Sequence, residues 1–202
     1  MKKSDEKTSE KHPDGCRRKF LKLSGGMLAA VLAARNAEGA GTDSDEFEPF
    51  GRNDRLAIGD DAVEMIQKAY DLGYVYEDEH HGCARCTVAA LQDALTFVPE
   101  DRSVFRAASC LDGGATTTNL ANCGAFTGAG MIIGWVCGTD RFGDNSLSHD
   151  LIHELHDRFV AQYGSVICDI VRENCGEDCP PVVANASRWT AEILIRQFTK
   201  DG

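Results

Sequence analysis

"NLANCGAFTGAGMIIG", residues 119–134, combines a cysteine with four glycines, three alanines and no charged side chain. Gly124 and Gly128 fall one helical turn apart, as do Ala125 and Ala129, and Gly130 and Gly134. Each interior glycine costs a helix about 1 kcal/mol relative to alanine, so four cost on the order of 4 kcal/mol. A compensating contact is required: a second backbone packed close, or a bulky ligand against the bare surface. Cys123 stands near the helix start, where the partial positive charge of the amides lowers a thiol pKa. The stretch therefore predicts a helix with open space on one face and a thiolate at its beginning. A membrane span over the uncharged residues 113–139 is the rival, disfavoured by Asn119, Asn122, the threonines and the glycines.

Outward from this segment, the chain reads as helices joined by polar loops. Asp60 or Asp61 can cap a helix carrying Ala62, Met65, Ile66, Ala69 and Tyr70 at helical spacing and ending in the polar "EDEHHG". Residues 85–98 place Val88, Leu91, Ala94, Leu95 and Val98 on one side, before Pro99. A short apolar turn around "SVFRAASCL" and a Gly-Thr loop, "DGGATTTN", precede the opening segment. Beyond it, Ile152, Leu155, Phe159 and Tyr163 form a stripe with Ser148 as cap and Gly164 as stop. A last helix follows Pro180 and Pro181 through Val183, Ala186, Trp189, Ile193 and Leu194. No stretch alternates at period two and no repeat is visible, so the expected fold is an all-α compact bundle of about five helices with cysteine-bearing loops.

The first forty residues read differently. "CRRKFLKLSGGMLAAVLAA", residues 16–34, joins Arg17 and Arg18 to a weakly apolar core, Met27 to Ala34, followed by the small-residue "NAEGA". This resembles a twin-arginine export signal over residues 1–40, with cleavage near Gly39 or Ala40 and a periplasmic destination. The run is too short and too interrupted to span a bilayer, so no stable membrane span is expected after its removal. Residues 41–58 read as a flexible acidic lead-in, and residues 59–202 as one domain. The full chain carries a formal charge of −11, and removal of the signal leaves it near −15. Such a surface does not bind nucleic acid or anionic lipid; it favours a basic partner, such as a redox protein.

Of nine cysteines, Cys16 lies in the signal, leaving Cys83, Cys86, Cys110, Cys123, Cys137, Cys168, Cys175 and Cys179. Four disulfides would suit an exported protein. A domain of this size can stabilise itself by burial, however, so metal or redox use competes with staples.

Four of these cysteines lie in segments similar to those of the redox-active proteins named for their C_GCAxxG_C_C pattern. "RCTVAALQDAL" resembles that family's Asn-Cys-polar-x-Ala-Val-Leu helix, placing Cys86; "CGAFTGAGMIIG" resembles its CGAxxGA segment, placing Cys123. "FVAQYGSVICDIV" and "CPPVVANASRWTAEIL" resemble the two later segments, placing Cys168 and Cys179. The resemblance implies a redox or metal-centre role. The same pattern occurs in split-Soret-type cytochromes, where such a domain is associated with an iron-sulfur-type centre beside c-type haem. Here Cys83-x-x-Cys86 is followed by Thr87, not histidine, so covalent haem is not expected. Four thiolates from separate segments suit a [2Fe-2S] or [4Fe-4S] cluster or tetrahedral zinc, and the export route implied by Arg17 and Arg18 favours iron-sulfur. The pattern leaves Cys83, Cys110, Cys137 and Cys175 as additional redox or ligand candidates, with Cys175 competing with Cys179 for the fourth position.

Two further groups stand out. Cys83 and Cys86 beside His80 and His81 form a candidate redox dithiol, without the flanking pattern of thioredoxins. His149, His153 and His156 share one helix face and form a candidate secondary metal site. The expected function is an exported electron-transfer or redox-sensing protein with an iron-sulfur centre, a carrier rather than a stand-alone catalyst. The alternatives are a thiol-disulfide oxidoreductase and a disulfide-stapled binding protein without redox function.

Overall fold

The computed structural model describes residues 47–115 and 117–199. Among these residues the chain forms seven α-helices: α1 (Asp61–His80), α2 (Cys83–Ala94), α3 (Arg102–Ala107), α4 (Gly124–Cys137), α5 (Ser146–Tyr163), α6 (Cys168–Asn174) and α7 (Cys179–Thr199). A 3-10 turn, Ala108–Cys110, continues α3. The all-α bundle expected from the periodicity is the observed fold. No helix among the described residues is long and apolar enough to cross a membrane. The export signal expected at residues 1–40 lies outside the described residues.

The bundle is organised around α7, whose Val183, Ala186, Ile193, Leu194 and Phe198 have no exposed surface. Helix α1 lies along it and buries only a narrow stripe, Met65, Ala69, Gly73 and Glu77, four residues apart. The crossing is close, because a Cβ on Gly73 would meet the carbonyl oxygen of Val183 at 3.0 Å. Most of α2 is covered, since α1, α4 and α7 all pack against it. Phe159 anchors the α5 side of the core, with its ring 5.4 Å from Phe126 and 5.5 Å from both Tyr163 and Trp189.

The glycines of α4 have their explanation in this packing. A Cβ on Gly128 would sit 2.5 Å from the carbonyl oxygen of Ala84, and one on Gly124 would meet the Ala84 nitrogen at 3.1 Å. The bare face of α4 is therefore pressed against the backbone of α2's first turn. Gly134, by contrast, has nothing among the described residues within 4 Å of its would-be Cβ.

Several boundaries differ from the sequence expectation. Helix α2 stops at Ala94, not at Pro99, because Leu95 is extended and both Leu95 and Val98 turn into the core. Helix α5 begins at Ser146 after Asn145; Ser148 lies within its first turn and donates its hydroxyl to the Asn145 carbonyl. Gly164 closes the helix in the left-handed conformation, φ 75°, as expected. Helices α3 and α6 carry six and seven residues, too few for a periodic signal. Within residues 47–58, expected as part of a flexible lead-in, Phe50, Leu56 and Ile58 lie against the bundle, while residues 51–55 are exposed. Phe50 packs on Phe97 and Phe198, its amide donates to the Val136 carbonyl at 2.7 Å, and Leu56 bonds the Phe198 carbonyl. Aromatic burial outweighs the acidic composition of this segment.

The packing gives a paired expectation for thermal melts. Gly128→Ala should destabilise by about 1–3 kcal/mol despite its better helix propensity, because the methyl group enters backbone-filled space. Gly134→Ala should stabilise by about 0.5–1 kcal/mol. A stabilised Gly128→Ala protein would show that α4 and α2 are not in close contact.

Candidate functional site

The close approach of α4 to α2 brings two cysteines together at the helix starts. Cys83 is the first residue of α2, Cys123 is the N-cap of α4, Cys168 is the first residue of α6 and Cys179 is the first of α7. All four line one cavity of about 170 Å³. Ala125, Val171, Val182 and Val183 form its apolar walls, and Glu77, Asp112, Asn119 and Arg172 are its polar members. A Cβ on Gly124 would lie 2.3 Å from the Cys83 sulfur, so that glycine makes room for this thiol.

Hydrogen bonds between two loops fix the remaining corner. The Cys123 amide donates to the Val166 carbonyl at 2.7 Å and the Cys168 amide to the Ala121 carbonyl at 2.9 Å. The Asp169 amide bonds the Asn119 carbonyl at 2.8 Å, and Asn122 and Ile167 form an isolated antiparallel bridge. Asn119 takes a left-handed backbone, φ 65°, a conformation asparagine tolerates better than most residues. Its side-chain oxygen lies 3.7 Å from the Cys168 sulfur. On the other side, the Asp112 carboxylate accepts from the Ala84 amide at 2.8 Å, capping α2, and pairs with Arg85 at 3.5 Å.

Two opposing influences act on the thiols. Burial dominates: it pushes Cys83 up to about 12 and Cys179 up to about 11, and raises Cys123 and Cys168 as well. Backbone amides act in the other direction. Gly113 bonds the Cys83 sulfur, and Ala125 and Phe126 bond that of Cys123. Burial thus raises the Cys123 thiol against the lowering expected from its helix-start position, because desolvation outweighs the helix terminus. A bound cation would reverse that balance, and the amides already point at the sulfurs.

The eight cysteines among the described residues are free thiols. Of the four that the family resemblance places, Cys123, Cys168 and Cys179 line the cavity, whereas Cys86 faces a neighbouring groove and donates to the Tyr76 carbonyl at 3.3 Å. Cys83 supplies the fourth thiol of the cavity. Cys175 stands next to Cys168 and Cys179 without lining the space and bonds the Arg172 carbonyl. Cys110 is exposed on the 3-10 turn. Cys137 is buried at the far end of α4, about 20 Å along the helix from Gly124.

His149, His153 and His156 lie on the outer side of α5; His149 bonds Asn145, and His153 and His156 both face Asp157. Among the described residues no three Cys, His, Asp or Glu side chains stand in ready-made metal-ligating positions.

Sequence reasoning passed over Glu77, which is 5% exposed and lines the cavity. Its carboxylate accepts from the Gly82 amide at 3.0 Å and stands beside the Cys86 thiol; burial pushes its pKa up against both. The only available signal was its place at the head of "EDEHHG", four residues after Gly73 on the buried stripe.

A family model described as "Putative redox-active protein (C_GCAxxG_C_C)" matches residues 81–193, which include all four cavity cysteines. No curated protein and no solved structure matches the chain significantly.

The raised thiols set a direction for alkaline stability. An ordinary thiol ionises near 9.0, whereas Cys83 in the fold does so at about 12. Between those values the unfolded chain has released protons that the folded chain retains, so stability is full below about pH 9 and falls as pH rises further. Melting temperatures of metal-free protein should hold level near neutrality and drop between about pH 9 and 11, less steeply in Cys83→Ala. A level profile through pH 11 would contradict the burial of these thiols.

Proposed function

The chain belongs to the C_GCAxxG_C_C redox-active family, and from that premise we propose that its cysteine cavity holds an iron-sulfur centre, [2Fe-2S] or [4Fe-4S], in an exported protein that transfers or senses electrons. The observation that carries this reading is the convergence of Cys83, Cys123, Cys168 and Cys179 on one cavity. These four are the proposed ligands, with Cys83 taking the place that the pattern resemblance gave to Cys86.

The residues present fit such a group. A full set of four thiols is the donor chemistry iron-sulfur centres use. The space is roughly ten times the ~15 Å³ a single water needs, which suits a polyatomic cluster better than one zinc ion. Three of the helices that start here, α2, α4 and α7, have twelve or more residues, and their amide ends favour the net negative charge of a thiolate-bound cluster. Gly113, Ala125 and Phe126 donate to the sulfurs, and Val171, Val182 and Val183 keep water from one side. When bound, the cluster supplies one-electron redox chemistry. Arg17 and Arg18 favour a route that exports proteins already folded around a cofactor, and the acidic surface suits a basic redox partner.

The thiol-disulfide oxidoreductase reading is weaker for a physical reason. A dithiol pair needs its two sulfurs facing each other, whereas Cys83 lines the cavity and Cys86 lines the neighbouring groove.

Iron content separates the assignments. Cys83→Ser should lose most of its iron and Cys86→Ser should retain it; the reverse result would return the fourth position to Cys86. Full iron in both Cys83→Ser and Cys123→Ser would remove the cavity from the account. In the cell, Arg17→Lys with Arg18→Lys should leave iron-loaded protein in the cytoplasm. Retained protein that is metal-free, with all its thiols reactive, would favour the disulfide reading.

A further inference from the structure

Helix α6 turns Cys168 and Val171 inward and a different set of side chains outward. Asp169, Ile170 and Glu173 are exposed, and Asp169 and Glu173 stand one turn apart. Ile170 is 41% exposed. The Asp169 amide donates to the Asn119 carbonyl and the Cys168 amide to the Ala121 carbonyl, so the residue between those two acceptors, Leu120, is held at the start of α6. Leu120 is 74% exposed. Two of the eight large apolar side chains left exposed among the described residues thus come to one short pair of segments, next to a cysteine of the cavity.

The same face carries unneutralised negative charge. Between Cys168 and Cys179 the chain has four acids, Asp169, Glu173, Glu177 and Asp178, against one base, Arg172. All four acids are exposed, and Arg172 pairs with Glu177 at 3.4 Å. Asp169, Glu173 and Asp178 have no ion-pair partner among the described residues. Cys179, directly after Asp178, is the one cavity thiol of the four that is not fully buried.

We propose that the outer face of α6, with Leu120 and the turn that leads to Cys179, is where a basic one-electron carrier protein docks, its redox group next to Cys168 and Cys179. This rests on the reading of the cavity as a redox centre: one electron leaves the reduced centre and enters the oxidised group of the carrier, and no bond is made or broken. The three unpaired acids draw a cationic surface in and set its rate of encounter, while Leu120 and Ile170 give the small dry contact of a transient complex. A second copy of this chain, with its formal charge of −11, is repelled from the same face.

The test uses oxidised mitochondrial cytochrome c, a basic one-electron carrier, titrated into isotope-labelled full-length protein at low ionic strength. Amide shifts should concentrate on residues 119–121 and 168–179. Asp169→Lys with Glu173→Lys should weaken binding at least tenfold. Glu64→Lys with Asp140→Lys, the same change in charge beyond the opposite ends of α1 and α4, should weaken it less than threefold. Leu120→Ser with Ile170→Ser, at positions the core does not need, should weaken it at least threefold. No binding, shifts centred elsewhere, or equal losses in the two charge-reversed proteins would overturn the proposal. So would a dimer that Leu120→Ser dissociates, because it gives the face to a second copy. Iron measured on the same samples keeps the two readings apart. Protein found iron-free that still binds through this face would support the docking surface while the cavity reading fails. Iron-loaded protein that reduces cytochrome c at an unchanged rate in Asp169→Lys with Glu173→Lys would keep the centre and overturn the surface.

Discussion

The contact on which the molecule depends is the meeting of two backbones, the start of α4 and the first turn of α2. Gly124 and Gly128 carry no side chain because the Cys83 sulfur and the Ala84 carbonyl occupy the space a Cβ would need. The cost in helix propensity, about 1 kcal/mol per glycine, is offset by burial of α2 against α4 and α7. The same contact sets Cys123 beside Cys83, each at a helix start. Loosening it would open the core and separate the thiols in one step.

Around that contact the chain gathers four thiols with few local devices. The paired loops before α4 and α6 exchange amide-carbonyl bonds, which carry Cys168 to the cavity rim, and α7 begins with Cys179 immediately before its two prolines. The electrostatic character of the place is divided. Apolar walls raise the thiol pKa values, while the helix ends and the amides of Gly113, Ala125 and Phe126 act in the opposite direction. A group that brings positive charge into the cavity satisfies both, because it supplies what desolvation removes.

The helical architecture was legible because Met65 and Ala69, Leu155 and Phe159, and Ile193 and Leu194 recur at helical spacing over long segments. The glycine run was legible as a demand for something close against it, a second backbone or a ligand, and the open face expected there is instead filled by the backbone of Ala84. Nothing in a single sequence says that Ala84 lies opposite Gly128. The choice between Cys83 and Cys86 was hidden for a related reason. Both sit on the first turn of one helix, and only the position of α4 decides which of them faces the other thiols. Phe47, Phe50 and Leu56 show the opposite failure, where composition read as a solvated lead-in and a few aromatic contacts decide otherwise. Glu77 was concealed among neighbouring acids, and its burial comes from the position of α1 along α7.

The central claim is that the four cavity cysteines hold an iron-sulfur centre, and one measurement addresses it directly. Protein produced and purified without oxygen is assayed for iron, acid-labile sulfide and zinc, with a visible spectrum before and after dithionite. The account predicts matching amounts of iron and labile sulfide and a broad visible absorbance that dithionite bleaches. Stoichiometric zinc without sulfide, or no metal with four protected disulfides, would contradict it.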